Sequence, residues 1–233
     1  MNTIDIYTLC RSGNHAIIFW ILENLGGINK KIHNCCYWND VTKIFFYNNC
    51  NHIKYNIVKQ YNYLIRSYED IYNNKTNNNI KVIIIRDFLN LLASRIKKYG
   101  VNLGLNSSYI QNYNVLKEMW KNHCKEITTN NKVIGILYNK WLLDKNYRDN
   151  ISNKLNIVNK YDNTNIVSTI GEGSSFCGIN LEKVKEAYLQ RYKLVNIPIN
   201  IINDIKQDNE LIQLNLELFD IDINELLNAN KCI

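Results

Sequence analysis

The fold is decided by one stretch near the N-terminus, Ile4-Asp5-Ile6-Tyr7-Thr8-Leu9-Cys10-Arg11-Ser12-Gly13-Asn14-His15. Residues 4–9 are mainly β-branched, aromatic or apolar, which predicts a buried strand. A short turn with one arginine and one glycine follows, and residues 14–25 form an apolar run that predicts a helix. A helix that begins directly after such a turn points backbone N–H groups at an anion. The stretch therefore predicts a strand, an anion-binding turn and a helix.

A second basic turn follows another apolar run. The run is Val82-Ile83-Ile84-Ile85, of the kind found in sheets that are buried on both faces. Arg86 and Asp87 come directly after it, and Ser94 stands eight residues beyond Arg86. Two such turns indicate a ligand with phosphate-like groups at both ends. A nucleotide-type cofactor is therefore the first hypothesis.

The alternation of strand-like and helix-like segments predicts an α/β fold. We expect three layers around a central, mainly parallel sheet, a helical C-terminal part from residue 181 onward with Pro198 as its only break, and one domain over residues 1–233. The predicted strands cover residues 4–9, 31–36, 63–67, 81–85 and 133–138, and the predicted helices cover residues 14–25, 87–99, 107–128 and 147–155. In the amphipathic helix 107–128, the residues predicted to face the core are Tyr109, Tyr113, Leu116, Trp120 and Cys124.

Composition excludes several classes of protein. The formal charge of +7 suits an anionic ligand, but lysine and arginine are spread along the chain, whereas a nucleic-acid reader needs a concentrated basic stripe. We therefore expect no nucleic-acid partner. No stretch approaches the roughly 20 apolar residues of a membrane helix, and the N-terminus lacks the pattern of a signal peptide. Seven cysteines, an odd number, argue against a disulfide framework. These features favour a cytoplasmic protein and leave the oligomeric state open.

The first turn is not that of an ATPase or GTPase, because G-x-x-x-x-G-K-[ST] needs a second glycine and a lysine. Instead, Arg11-Ser12-Gly13-Asn14-His15 resembles the 5′-phosphosulfate loop of the sulfotransferases. Arg86-Asp87 with Ser94 is similar to that family's 3′-phosphate site in residue type and spacing. The resemblance implies a P-loop-like sulfotransferase fold and the donor 3′-phosphoadenosine-5′-phosphosulfate (PAPS), with 3′-phosphoadenosine-5′-phosphate (PAP) as product and no metal. The residues it assigns to the donor here are Arg11, Ser12, Gly13, Asn14, His15, Ala16, Arg86 and Ser94.

Later segments extend the resemblance. Residues 137–143 resemble the family's Y-E-D-L segment, although Asn139 and Lys140 replace the acidic pair. The loop over residues 166–178 resembles the segment that covers the 3′ end of the donor, which adds Gly173, Ser174 and Ser175 to the expected binding residues. Arg191-Tyr192 is similar to bacterial members. The chain departs from the family at Asn14-His15, where a hydroxyl residue is usual, and it lacks the family's C-terminal dimerisation signature.

Sulfuryl transfer implies roles for charged residues. Negative charge builds on the departing phosphate oxygen, and by the resemblance Arg11 is placed to stabilise it. A general base takes the proton of the acceptor hydroxyl. The first candidate for that base is Glu69, at the end of the predicted strand 63–67. His33 is the second candidate and His15 the third, and for each the alternative is a solvated or structural residue.

Other functions remain open from the sequence. The resemblance favours a carbohydrate hydroxyl as acceptor, by analogy alone, and a phenol, a lipid or a protein tyrosine are alternatives. A non-catalytic nucleotide-binding or interaction protein on the same fold is the main alternative function, and a nucleotide or sugar kinase is disfavoured by the missing lysine. One further cluster contains ligand types that zinc uses, but its spacing differs from the usual C-x₂₋₄-C pairs, so no metal is expected. Its residues are His33, Cys35, Cys36, Cys50 and His52.

Overall fold

The structure is a computed structural model, and it describes residues 2–26, 30–33, 36–39, 41–48, 59–70, 79–100, 112–162, 164 and 189–229. Within these residues seven strands form one sheet. They are β1 (Asn2–Thr8), β2 (Lys30–His33), β3 (Cys36–Asn39), β4 (Ile44–Asn48), β5 (Tyr63–Glu69), β6 (Ile80–Ile85) and β7 (Val133–Leu137). The helices are α1 (Asn14–Asn24), α2 (Phe88–Tyr99), α3 (Tyr113–Thr129), α4 (Tyr138–Leu143), α5 (Lys145–Leu155), α6 (Ile199–Gln207), α7 (Asn209–Phe219) and α8 (Ile223–Ala229), with a short 3-10 helix at Arg191–Leu194.

The order of strands across the sheet is β2-β3-β4-β5-β1-β6-β7. The five strands from β4 to β7 in this order pair in parallel, and β2 and β3 add an antiparallel edge. Parallel neighbours need crossover connections, and the helices α1, α2 and α3 lie within those connections. The predicted α/β fold with a mainly parallel sheet is confirmed.

Apolar side chains cover both faces of the parallel part of the sheet. On one face, Ile4 and Ile6 of β1 pack with Val82 and Ile84 of β6 against α1, α4 and α5. On the other face, Ile85 joins the helices α2, α3 and α6 to α8 in a second cluster. Burial on both faces explains why the central strands are continuous apolar runs rather than alternating ones.

The helices around the second cluster begin at well-defined caps. The side chain of Asp87 accepts a hydrogen bond from the N–H of Asn90 at the start of α2, and Asn112 does the same for Val115 at the start of α3. The prediction that one face of residues 107–128 is core is confirmed for the described part of that segment. Tyr113, Leu116, Trp120 and Cys124 are all buried, and Tyr109 lies outside the described residues.

Some elements differ from the sequence predictions. The single strand predicted at residues 31–36 is wrong, because β2 and β3 form an antiparallel pair there with an irregular register between Lys31 and His33. The strand β4 was not predicted, although Ile44-Phe45-Phe46-Tyr47 has high strand propensity. The C-terminal part contains the 3-10 helix and the helices α6 to α8 within residues 189–229, and Pro198 immediately precedes α6. The prediction that Pro198 is the only break is wrong, because helices also end at Gln207 and Phe219. The predicted loop over residues 166–178 lies outside the described residues.

Within the described residues, no helix has the length and apolar character that crossing a membrane requires.

The contact between β7 and α3 depends on Gly135. A Cβ at this position would lie 2.5 Å from Cγ2 and 3.0 Å from Cγ1 of Ile127. Because a β-branched side chain cannot easily move aside, we expect Gly135→Ala to lower the free energy of unfolding by about 1–3 kcal/mol. Urea denaturation measures this, with Ile127→Ala as the single control. The double variant should recover part of the loss, and a neutral or stabilising Gly135→Ala would contradict the contact.

Candidate functional site

The two basic turns lie beside each other at one edge of the sheet. After β1 the chain continues toward β4 and β5, whereas after β6 it continues in the opposite direction to β7. Because β1 and β6 are adjacent and parallel, their carboxyl ends meet at the point where the direction of the connections reverses. Open α/β sheets bind ligands in the crevice at such a point. This position makes the two turns the candidate site.

The first turn has an unusual backbone. The N–H of Ser12 donates to the carbonyl oxygen of Leu9 at 3.0 Å, which closes a four-residue turn. Within it Arg11 has a φ of 76°, and Gly13, at the N-terminus of α1, has a φ of 88°. The left-handed region suits glycine but costs other residues roughly 1–2 kcal/mol. Arg11 is therefore held in a strained conformation at the place where an anion would bind.

The start of α1 provides donors for an anion. The first N–H groups of a helix have no partner within it, and the first turn of α1 contains no acidic residue. The hydroxyl of Ser12 is fully buried and has no hydrogen-bond partner in the described part of the chain. Together with the half-buried Arg11, these groups form a cationic set of donors that suits a phosphate or sulfate group.

Tyr138 connects the two turns. A Cβ at Gly13 would lie 2.3 Å from two atoms of the Tyr138 ring, so the glycine is required by this contact as well as by its φ. The guanidinium of Arg86 stacks on the same ring, with its Cζ 4.7 Å from the ring centroid. The contact with Arg86 follows from the sheet, since Ile85 is in register with Leu137 and the next residues of the two strands lie side by side.

The second turn is enclosed. The side chain of Arg86 is fully buried, and burial lowers the pKa of its guanidinium. The backbone carbonyl oxygen of Arg86 accepts a hydrogen bond from Nε1 of Trp120 at 2.8 Å. Asp87 accepts from Asn90 and from Nδ2 of Asn139, the latter at 2.8 Å. Because its oxygens already accept these bonds, the carboxylate of Asp87 is held at the cap of α2.

Arg191 makes a contact with Ser94 that only the structure reveals. Nη1 of Arg191 donates to the hydroxyl of Ser94 at 3.0 Å, and both side chains are buried. Asn90 brings this segment to α2, because it accepts from the N–H of Arg191 at 2.7 Å and donates to the carbonyl oxygen of Leu189 at 2.7 Å. The sequence indicates only that Arg191-Tyr192 is similar to bacterial sulfotransferases, and no spacing rule links Arg191 to Ser94.

The acidic candidate Glu69 lies beside the start of α1. Nδ2 of Asn14 donates to Oε1 of Glu69 and to the hydroxyl of Thr8. Nε2 of His15 is 3.8 Å from the same Glu69 oxygen. Burial lowers the pKa of His15 and nearby Arg11 acts in the same direction, whereas Glu69 opposes them. His15 is therefore neutral at neutral pH, with a carboxylate and an arginine as its neighbours.

The structure places the remaining predicted residues as follows. Asn14, His15 and Ala16 lie in the first turn of α1, and the other residues of the first predicted loop directly precede that helix. His33 ends β2, and β3 and β4 separate that strand from β5, which carries Glu69, so the backbone of His33 is not brought to Glu69. Among the described residues, no group of three or more His, Cys, Asp or Glu side chains could hold a metal ion. Six predicted residues lie outside the described residues, namely Gly173, Ser174, Ser175, Cys35, Cys50 and His52.

The lowered pKa of His15 makes stability depend on pH. As the pH falls below the ordinary value of 6.5, His15 of the unfolded chain binds a proton before that of the folded chain does. The free energy of unfolding should then decrease, by at most about 1.4 kcal/mol per pH unit for one group. We expect His15→Gln to reduce this decrease between about pH 7.5 and about pH 5.5, as measured by urea denaturation.

His123 provides the internal control for this experiment. Burial also lowers the pKa of His123 in α3, so it should contribute a separate part of the acid sensitivity. If the His15→Gln variant keeps the full acid sensitivity of the wild type, the lowered pKa of His15 in the folded chain is contradicted.

Comparisons with known proteins add no family to this description. The chain matches no protein-family model, no curated protein and no solved structure. What the site can do follows from its own geometry and chemistry.

Proposed function

We propose that this chain is a PAPS-dependent sulfotransferase with a P-loop-like sulfotransferase fold, which moves a sulfuryl group from PAPS to an acceptor hydroxyl. One observation carries the proposal. Two basic turns follow the adjacent parallel strands β1 and β6, at the point where the connections of the sheet reverse. A ligand with two phosphate-like ends is the kind of molecule that both turns could bind together.

The residues of the first turn fit the 5′ end of the donor. The hydroxyl of Ser12, the N–H groups at the start of α1 and the guanidinium of Arg11 are all donors, and among the described residues that hydroxyl has no partner. The amide of Asn14 is less available, because it already donates to Glu69 and Thr8. Backbone N–H groups and Ser12 therefore take over the part that hydroxyl residues have in the sulfotransferase loop.

The residue types of the second turn fit a 3′-phosphate, but their side chains are buried in this structure. Arg86, Ser94 and Arg191 offer two guanidinium groups and a hydroxyl. Because Arg86 has no exposed surface, a phosphate can reach its guanidinium only when a surrounding side chain moves. The Tyr138 ring, which contacts both Arg86 and Gly13, is the natural group to move.

The chemistry assigns roles to three side chains. When bound, PAPS supplies the sulfuryl group that an acceptor hydroxyl attacks at sulfur. Arg11 stabilises the negative charge on the departing phosphate oxygen. Glu69 is the preferred general base, because its carboxylate lies at the mouth of the first turn and only Oε1 is engaged by Asn14. His15, neutral and 3.8 Å from Glu69, is the alternative acceptor of the proton.

The acceptor and the alternative function rest on other grounds. A carbohydrate hydroxyl is the proposed acceptor, by analogy with the sulfotransferases whose segments this chain resembles. Asn14-His15, which replace the hydroxyl residue usual in the sulfotransferase loop, favour one alternative, a non-catalytic nucleotide-binding or interaction protein on the same fold. The two experiments that follow separate these functions.

The first experiment tests the donor. PAP at saturating concentration should raise the melting temperature, whereas ATP with Mg²⁺ should not. Ser94→Ala should weaken PAP binding in isothermal titration by about tenfold, because a hydroxyl partner of the phosphate and of Arg191 is lost. Ser152→Ala is the matched control, since Ser152 is a buried helical serine that donates to a backbone carbonyl in the same way. Equal PAP affinity in both variants, or no PAP binding by the wild type, would contradict the proposed donor.

The second experiment tests catalysis. With labelled PAPS and a mixed glycan library, Glu69→Gln should reduce turnover by at least about 100-fold, while PAP affinity stays within about twofold. Arg11→Ala should abolish transfer. Glu126→Gln is the control for loss of a carboxylate, because Glu126 pairs with Lys81 in a separate contact. Wild-type protein that binds PAP but transfers no sulfate would favour the non-catalytic alternative, and unchanged turnover in Glu69→Gln would remove that residue from the mechanism.

A further inference from the structure

A buried ion pair encloses the peptide that precedes Arg11. Oδ1 of Asp70 accepts a hydrogen bond from the N–H of Cys10 at 3.0 Å. Nε of Arg95 donates to the carbonyl oxygen of Cys10 at 3.1 Å, and Nη2 of Arg95 pairs with the same oxygen of Asp70. One Asp–Arg pair thus binds both polar backbone groups of Cys10. Asp70 directly follows β5, and Arg95 lies in α2.

This pair has little freedom to move. The side chains of Arg95 and Asp70 are only 2% and 9% exposed. Asp70 itself has a φ of 53°, and its N–H donates to the carbonyl oxygen of Thr8 at 2.9 Å, which extends the contact between β1 and β5 by one residue beyond the strands. The side chain of Cys10 is also held, with Sγ 3.3 Å from the hydroxyl of Tyr99. Hydrogen bonds therefore hold the N–H, the carbonyl oxygen and the side chain of Cys10.

Arg11 needs such an external restraint. It is the third residue of the turn closed by Leu9 and Ser12, and its φ of 76° is the value that this position takes in type II turns, where glycine or asparagine is usual. An isolated turn with arginine at this position would relax to a negative φ. In the folded chain the two hydrogen bonds to Cys10 oppose that relaxation.

We infer that Asp70 and Arg95 are positioning residues for the first turn: by holding the Cys10 peptide, they keep Arg11 in the left-handed conformation that presents its guanidinium at the anion site. This inference rests on the proposed function for its ligand, but the conformational part stands without it. The role requires arginine at position 95, because Nε and Nη2 reach two different acceptors, and the single ammonium group of a lysine cannot occupy both places.

A ligand-free experiment tests the conformational part. In the wild-type background, Arg11→Gly should raise the melting temperature by about 2–4 °C, because it removes the cost of a left-handed arginine. In the Arg95→Lys background the turn is already relaxed, and the same substitution should raise the melting temperature by less than about 1 °C. An equal increase in both backgrounds would overturn the inference. If Arg95→Lys does not fold, Asp70→Asn serves as the second background, with the same expectation and the same opposing result.

A binding experiment tests the positioning part. Arg95→Lys should weaken PAP binding by about tenfold in the wild-type background but by less than about twofold in the Arg11→Ala background, because Arg95 acts through Arg11. Arg148→Lys is the matched control. Arg148 is a similarly buried arginine that donates to Asp162 and to the carbonyl oxygen of Trp141, and this substitution should leave PAP affinity unchanged.

The outcomes of the two experiments are distinguishable. Equal losses of PAP affinity on Arg95→Lys in both backgrounds would overturn the positioning role even if the wild type binds PAP well. If the wild type binds no PAP, the proposed function fails, and the positioning of Arg11 for that ligand fails with it. The melting-temperature cycle would then still decide whether the Asp70–Arg95 pair imposes the left-handed conformation.

Discussion

The parallel pairing of β1 with both β5 and β6 is the constraint on which the site depends. Thr8, the last residue of β1, is in register with Glu69 on one side and with Ile84 on the other. The residues that follow these three strands must therefore emerge at the same edge of the sheet. Because apolar clusters cover both faces of the strands, a one-residue slip would move each isoleucine from one packed cluster into the other, and this fixes the register. The closeness of Arg11, Glu69 and Arg86 is thus a consequence of how the core packs, and each is far from the others in sequence.

The closed second turn sets a limit on affinity. Burying a guanidinium is costly, and the Tyr138 ring offsets part of that cost by stacking on Arg86. A ligand that needs Arg86 must displace this contact, so its apparent affinity falls with the fraction of molecules in which the site is open. The hydroxyl of Ser12 in the first turn is also fully buried, but it lacks a partner in the described part of the chain, so an anion that reaches it displaces no hydrogen bond of that hydroxyl. The two ends of the site therefore differ, because a ligand at the second turn must displace the ring that stacks on Arg86, whereas a ligand at the first turn can accept directly from the hydroxyl of Ser12.

Much of this arrangement could be predicted from the sequence, and the rest could not for a physical reason. The elements β1, α1, β6 and α2 follow from local patterns, namely apolar runs and the caps that end or begin them. The β2–β3 pair and β4 depend on which strands meet at the edge of the sheet, and a short aromatic run such as Phe45-Phe46-Tyr47 indicates a strand but no partner. The contacts of Tyr138 with Gly13 and of Arg191 with Ser94 join residues about 100 positions or more apart. Local propensity carries no information about such pairs.

Arg11 illustrates how local preference and the site oppose each other. A turn of this geometry favours glycine, and Gly13 two residues later meets that preference, but position 11 holds a long cationic side chain instead. Residues that contradict their local environment concentrate where function requires them, and the surrounding structure must supply the missing stability. Here the Asp70–Arg95 pair binds both the N–H and the carbonyl oxygen of the preceding residue, Cys10. Its burial makes the restraint stiff, because an exposed pair would exchange its bonds with water and release the turn. The buried pair therefore maintains the strained conformation of Arg11, and this keeps the guanidinium of Arg11 in position before any ligand binds.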